Sequence, residues 1–200
     1  MGHVYAGVAA RHGVENLSPE RINEQFRAAW RAKTNFNHTR EDWAALVEKT
    51  FTGLTQEQPS QTFFPELYDR FSAPDAWRIF DDVLPALDAL ATAGIRLAVI
   101  SNWDERLRPL LQQLELSDYF ETIIVSCEAG FAKPSPVIFE NAIKKLGLPP
   151  ESILHVGDNL TADVQGARGA GFRAVRIDRT SPAVADQQIG SLAELESLRI

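Results

Sequence analysis

Repeated alternation of short apolar strands with helices after residue 82 is the feature that most constrains the fold of this chain. The pattern predicts strands at residues 95–100, 122–125, 153–156 and 174–177, and a helical segment follows each strand. Strand-helix units build parallel sheets through right-handed crossovers. We therefore predict an α/β fold with a three-layer, Rossmann-like parallel sheet, whose ligands bind at the carboxyl edge.

The first 80 residues have a different texture, helical and rich in aromatic side chains. Ser18-Pro19 predicts a helix start, with serine as N-cap and proline at the first helical position. Thr39 is placed to cap a second helix, and residues 63–71 form a third plausible helix. Core packing is the ordinary explanation of the aromatic residues, and we favour it over a ligand-binding aromatic box. We predict a small helical domain at residues 1–80 and an α/β core at 81–200.

Composition excludes several classes of partner. The 200 residues carry a formal net charge of −7, whereas proteins that bind nucleic acid need a basic face. We therefore expect no nucleic-acid partner. No apolar run is long enough for a membrane span, and no signal for export opens the chain, so we expect a cytoplasmic protein with no membrane partner. Cys127 is the one cysteine, which rules out an intrachain disulfide and a thiolate metal cluster.

Three loops that follow predicted strands carry chemically useful side chains. Ser101 and Asn102 offer a hydroxyl and an amide suited to phosphoryl oxygens, although such residues also cap helices. Lys133 lies in a proline-stiffened loop and its ammonium would neutralise a phosphate or a carboxylate, or else face solvent. Asp158 and Asp163 are hard oxygen ligands that suit Mg²⁺, and their ordinary alternative role is helix capping.

The order of these elements resembles the second, third and fourth motifs of the haloacid dehalogenase-like (HAD) hydrolase superfamily. The resemblance runs from about residue 83 to the C-terminus, and the helical N-terminal region is similar to the cap of one subgroup. It implies that Ser101 binds the transferring phosphoryl group with the assistance of Asn102. By the same resemblance Lys133 steadies the phosphoryl group and the nucleophile, Asp158 holds Mg²⁺, and Asp163 supports the metal shell.

The paired acids of the fourth motif favour one chemistry within that superfamily. A phosphate monoester brings negative charge that a cation must offset in the transition state, and a haloacid does not. The resemblance therefore implies a Mg²⁺-dependent phosphohydrolase that acts on a small phosphorylated metabolite. A nucleotide-binding Rossmann domain is disfavoured because no Gly-x-Gly-x-x-Gly follows a strand.

The first motif of the superfamily is missing from the 200 residues. That motif, Asp-x-Asp-x-Thr after a strand, supplies the aspartate that forms an aspartyl-phosphate and the aspartate that acts as acid and base. The nearest match, Ile79-Phe80-Asp81-Asp82, lacks the threonine and better fits a hinge between cap and core with acids at a helix start. Lys133 is then the one candidate catalytic side chain, and we expect the chain to be inactive as given.

The missing first strand has structural consequences too. In the HAD arrangement it lies between the strands predicted at 95–100 and 153–156, so its loss leaves the facing edges of both strands without hydrogen-bond partners. Each unpaired buried backbone group costs about 1 to 3 kcal/mol. We expect marginal stability and self-association through an exposed sheet edge. Three explanations stay open: a start codon assigned too far downstream, a fragment completed by another chain, or a degenerate member. The intact remaining motifs favour the first, and the alternative function is a non-catalytic protein that binds phosphate, metal or a partner.

Overall fold

The computed structural model describes residues 1–34, 36–180 and 188–197 of the chain. The chain divides into two compact units, Met1–Arg78 and Ile79–Ile200. Within the described ranges no helix combines the length and the apolar character that crossing a membrane requires. Each unit has its own hydrophobic core, and the candidate functional residues lie in the second unit.

The first unit is helical. Its helices are α1 (Gly2–Arg11), α2 (Pro19–Arg31), α3 (Arg40–Phe51) and α4 (Phe64–Arg70), with short 3-10 turns at Pro59–Gln61 and Pro74–Ala76. Both helix starts predicted from capping residues are confirmed. The Ser18 hydroxyl accepts a hydrogen bond from the Arg21 amide at 3.2 Å, and Thr39 forms a reciprocal capping box with Asp42.

Aromatic side chains fill the core of this first unit. The Tyr5 ring stacks on Phe51 with centroids 6.1 Å apart, and Phe63 meets Phe51 edge to face at 4.9 Å. Phe51 and Phe63 are almost completely buried. Core packing is therefore confirmed as the role of these aromatic residues, since they bury large apolar areas against one another.

The second unit alternates helices with short strands. Its helices are α5 (Val83–Thr92), α6 (Leu107–Gln113), α7 (Ser126–Ala129), α8 (Pro136–Leu146) and α9 (Gly166–Gly169), and a π-helical turn (Leu160–Gln165) leads into α9. Its strands are β1 (Ala98–Ser101), β2 (Thr122–Val125), β3 (Leu154–Gly157), β4 (Arg173–Ile177) and β5 (Gln188–Ile189). The helical segment predicted after the last of the four strands is the 3-10 helix Leu192–Ser197.

The strand predicted at 95–100 begins three residues late, and the end of α5 explains the difference. Gly94 adopts a left-handed conformation, and the Ile95 amide donates back to the Leu90 carbonyl at 3.0 Å. This hydrogen bond closes the helix in the manner of a Schellman motif. Ile95 therefore belongs to the helix end, and pairing with β2 starts only at Ala98.

The strands form two separate parallel sheets. β1 pairs with β2, and β3 pairs with β4, which pairs in turn with β5. Among the described residues no strand joins β1 to β3, and every residue of these two strands is half-buried. Parallel strands are usually covered on both faces. The α/β fold with a parallel arrangement is confirmed, and it is divided where the sequence predicted a missing central strand.

Candidate active site

Lys133 connects the loops that carry the predicted site residues. Its Nζ lies 2.6 Å from the Ile100 carbonyl oxygen in β1 and 2.6 Å from Asp163 Oδ1 in the π-helical turn after β3. The side chains of Lys133 and Asp163 are only 11% and 6% exposed. The alternative interpretation of Lys133 as a solvated surface charge is therefore wrong, and this ammonium is a buried, paired cation.

Asn102 holds the backbone of Lys133. Its Nδ2 donates to the Lys133 carbonyl at 2.8 Å, and its Oδ1 accepts from the Lys133 amide at 2.6 Å. This reciprocal pair occupies the amide oxygen and one of the two N–H groups of the side chain. Asn102 therefore positions Lys133. The hydroxyl of neighbouring Ser101, in contrast, has no hydrogen-bond partner among the described residues and is available to a ligand.

The Asp163 carboxylate is fully engaged by protein groups. Oδ1 also lies 3.3 Å from His155 Nε2, and Oδ2 accepts from the Asn159 amide at 2.9 Å. Burial by itself raises the pKa of Asp163, but the hydrogen bond from His155 and the positive charge of Lys133 outweigh it and hold that pKa well below its ordinary range. Asp163 is therefore an ionised anchor for Lys133 and for the Asn159 turn.

Gly157 ends β3 at a position where a side chain would collide with Asp163. A Cβ added at Gly157 would lie 2.3 Å from Asp163 Cγ and 2.6 Å from Oδ2. Real carbon contacts are about 3.5 to 4.0 Å. The glycine of the Gly-Asp motif thus permits close approach of the Asp163 side chain to the β3 backbone.

Asn159 caps the helical turn that follows β3, a role that the sequence analysis considered for Asp158. Its Oδ1 accepts from the amides of Thr161 at 3.0 Å and Ala162 at 2.8 Å. The capping alternative for Asp158 is therefore wrong. For Asp163 it is partly right, since Oδ2 reaches back to the Asn159 amide. The Asn159 cap could have been predicted from the sequence, because asparagine directly before a helical segment is a preferred N-cap.

The carboxylate of Asp158 is exposed and makes no hydrogen bond to any described residue. The main-chain carbonyl of Asp158 accepts from Arg176 Nε at 3.1 Å. Within the described residues no group of three or more histidine, cysteine or acidic side chains is arranged to hold a metal. Mg²⁺ commonly uses one or two protein carboxylates and completes its shell with water and substrate oxygens. Asp158 fits a site of that kind.

Asp82, in the nearest match to the first motif, is engaged elsewhere. Its Oδ2 accepts from Arg179 Nη1 at 2.7 Å, from the Ser191 hydroxyl at 2.8 Å and from the Leu192 amide at 2.7 Å. Burial by itself raises the pKa of Asp82, but these three donors lower that pKa to about 2. The carboxylate therefore fastens the start of α5 to the C-terminal 3-10 helix, a structural role.

Comparisons with known proteins find relatives of this chain. A family model described as haloacid dehalogenase-like hydrolase matches residues 4–171. The human haloacid dehalogenase-like hydrolase domain-containing protein 3 is 35% identical over 200 residues, which cover 93% of this chain and 79% of the relative. Phosphoserine phosphatase of Thermus thermophilus is 38% identical over 108 residues, which cover 51% of this chain and 43% of the relative. A crystal structure of a dehalogenase shares the fold with a TM-score of 0.75 and 21% identity, covering 98% of this chain and 90% of that one.

Proposed function

This chain belongs to the haloacid dehalogenase-like hydrolases, and we propose that it carries the phosphate-binding and magnesium-binding part of a cytosolic phosphohydrolase. Its substrate is a small phosphorylated metabolite. The observation that supports the proposal most strongly is the buried ammonium of Lys133, bound to both the end of β1 and Asp163. The partial match to a protein named as a phosphatase supports phosphate ester chemistry.

Each residue of the site has a distinct role in this proposal. The free hydroxyl of Ser101 donates to a phosphoryl oxygen, and the Lys133 ammonium neutralises the phosphoryl group. Asn102 and Asp163 keep that ammonium in place, one through the peptide backbone and the other through an ion pair. Asp158 would hold Mg²⁺, which when bound offsets the negative charge of the transition state.

None of the described carboxylates at the candidate site is suited to act as nucleophile. Its 200 residues contain no Asp-x-Asp sequence. Asp163 and Asp82 are each committed to several protein donors, and Asp158 is assigned to the metal. We therefore propose that these 200 residues bind phosphate and Mg²⁺ without turnover.

A gain-of-function experiment tests the phosphohydrolase assignment. Release of phosphate from a panel of small phosphomonoesters is measured, with and without Mg²⁺, for the chain and for a version extended at its N-terminus. The extension is an apolar strand followed by Asp-x-Asp-x-Thr. We expect turnover only in the extended protein with Mg²⁺, and its loss on Asp158→Asn and on replacement of the first added aspartate by asparagine.

Two outcomes would contradict the proposal at different points. Turnover by the original chain that disappears in Asp158→Asn would overturn its predicted inactivity. A folded extended protein without turnover on any ester would overturn the phosphohydrolase assignment. In that case the second candidate, a non-catalytic binding protein, predicts that inorganic phosphate still binds in calorimetry and that Lys133→Met abolishes this binding. This second candidate is favoured because the carboxylates of Asp163 and Asp82 already accept hydrogen bonds from protein groups and are not available as nucleophiles.

A further inference from the structure

Arg176 lies beside the candidate metal ligand, and neither the sequence motifs nor the comparisons assign it a role. It lies in β4, directly opposite Gly157 in the ladder with β3. Its Nε donates to the Asp158 carbonyl at 3.1 Å, its Nη2 pairs with Asp178 Oδ2 at 3.2 Å, and its Nη1 lies 3.4 Å from Gln188 Oε1. All three nitrogens of the guanidinium therefore have acceptors that hold its plane in one orientation.

The contact between Arg176 and the Asp158 carbonyl completes a clamp on one peptide group. The carbonyl of Asp158 and the amide of Asn159 belong to the same rigid plane. Arg176 binds the oxygen of that plane, and Asp163 Oδ2 accepts its N–H at 2.9 Å. The direction of the Asp158 side chain depends on this plane, because its carboxylate has no partner of its own among the described residues.

We propose that Arg176 is a positioning residue that orients Asp158 for Mg²⁺ by fixing the 158–159 peptide. The inference rests on the proposed metal role of Asp158. Outer residues that orient metal ligands typically change metal affinity by about 10- to 100-fold when they are replaced. Arg176 acts through the main-chain carbonyl of Asp158, so the planar geometry of its guanidinium matters as well as its charge.

The sign of the effect separates positioning from simple electrostatics. Arg176 is a cation close to a cation site, so charge repulsion alone predicts that its removal tightens Mg²⁺ binding. Loss of positioning predicts weaker binding. Arg176→Lys keeps the positive charge but lacks the planar guanidinium, and it therefore distinguishes the effect of charge from that of geometry.

Isothermal titration calorimetry of the full 200-residue chain with MgCl₂ is the first test. We expect Arg176→Gln and Arg176→Lys both to weaken binding about tenfold or more. Arg173→Gln is the matched control, because Arg173 is an exposed arginine of the same strand three residues away, on the opposite face. We expect it to bind like the wild type. Unchanged or tighter binding by Arg176→Gln, or full recovery in Arg176→Lys, would overturn the proposal.

Amide hydrogen exchange measured by NMR on the metal-free chain provides a second readout. We expect Arg176→Gln to accelerate exchange of the Asn159 amide selectively and to leave amides within β4 and β5 unchanged. Unchanged exchange at Asn159 would refute the clamp. If the wild type fails to bind Mg²⁺, the metal role of Asp158 fails, and the exchange result still decides whether Arg176 fixes the peptide.

Discussion

Replacing Gly157 with alanine should destabilise this protein far more than a methyl group ordinarily does. The three atoms nearest to the added Cβ all belong to Asp163, and the closest, Cγ, is 2.3 Å away. To reach an ordinary carbon contact of about 3.5 Å, the Asp163 side chain must move by more than about 1 Å. That side chain is held by Lys133 at 2.6 Å and by the Asn159 amide at 2.9 Å.

The size of the effect follows from those two contacts. A displacement of about 1 Å takes both beyond the hydrogen-bonding range of about 3.2 Å. Hydrogen bonds to charged groups contribute about 1.5 to 3 kcal/mol each, and a buried charge that loses its partner costs about 3 to 5 kcal/mol. We therefore expect Gly157→Ala to lower the free energy of unfolding by about 3 to 5 kcal/mol, a large share of a typical domain stability of about 5 to 15 kcal/mol.

Urea denaturation at pH 7, followed by circular dichroism, measures this loss as a lower transition midpoint. Gly169→Ala is the matched control, because a Cβ added there meets no atom within 4 Å. A glycine of that kind should gain about 0.4 to 1 kcal/mol as alanine. The decisive comparison repeats Gly157→Ala in an Asp163→Gly background, where the colliding atoms are gone. A cost that is equally large in both backgrounds would refute the steric argument.

Three further predictions follow from the same contacts. Asp163→Asn leaves Lys133 buried without a charged partner and should lower the unfolding free energy by about 3 kcal/mol, whereas Asp158→Asn should change it by less than about 0.5 kcal/mol in the same urea assay. Asp82 has a lowered pKa of about 2, so its contribution is complete above the unfolded pKa of about 4 and is lost as the pH falls from 4 to 2. Asp82→Asn should therefore cost about 1 to 2 kcal/mol at pH 7, and this difference should shrink as the pH falls through 4 and vanish below about pH 2. Asp69→Asn, at an exposed position, is the control. β1 and β3 each pair on one side only among the described residues, so sedimentation velocity should show concentration-dependent association, and a monomer at every concentration would contradict this.

Local signals explain why much of the second unit could be predicted from sequence. α8 begins at Pro136 and is closed by Gly147 in a left-handed conformation, and these two residue types mark helix ends in a sequence. β2 has its predicted bounds of 122 and 125, because polar Glu121 and Ser126 stand at the two ends of its apolar run. The two-residue strand β5 was missed, since a segment this short carries no period of its own.

Contacts between elements explain why part of the candidate site could not be predicted. Lys133, Asp158 and Asp163 stand out because their residue types follow strands in a recognisable order. Arg176 and His155 lie within strands and reach the site only through the geometry of the fold. A strand residue can contact whatever lies beside the strand, and one sequence does not reveal that neighbour.

The hydrogen bonds of Lys133 also link the site to the divided sheet. One runs to the carbonyl of Ile100 in β1, and the ion pair runs to Asp163 in the turn after β3. The strands β1 and β3 belong to separate sheets in the described part of the chain, so this side chain is a direct polar connection between them. In many enzymes, replacing a site residue leaves stability unchanged or raises it, because functional sites are not optimised for stability. Here we expect replacement to lower stability. Loss of Lys133 removes the proposed phosphate-binding group together with a connection between the two sheets, and loss of Asp163 breaks the same connection by removing its ion-pair partner.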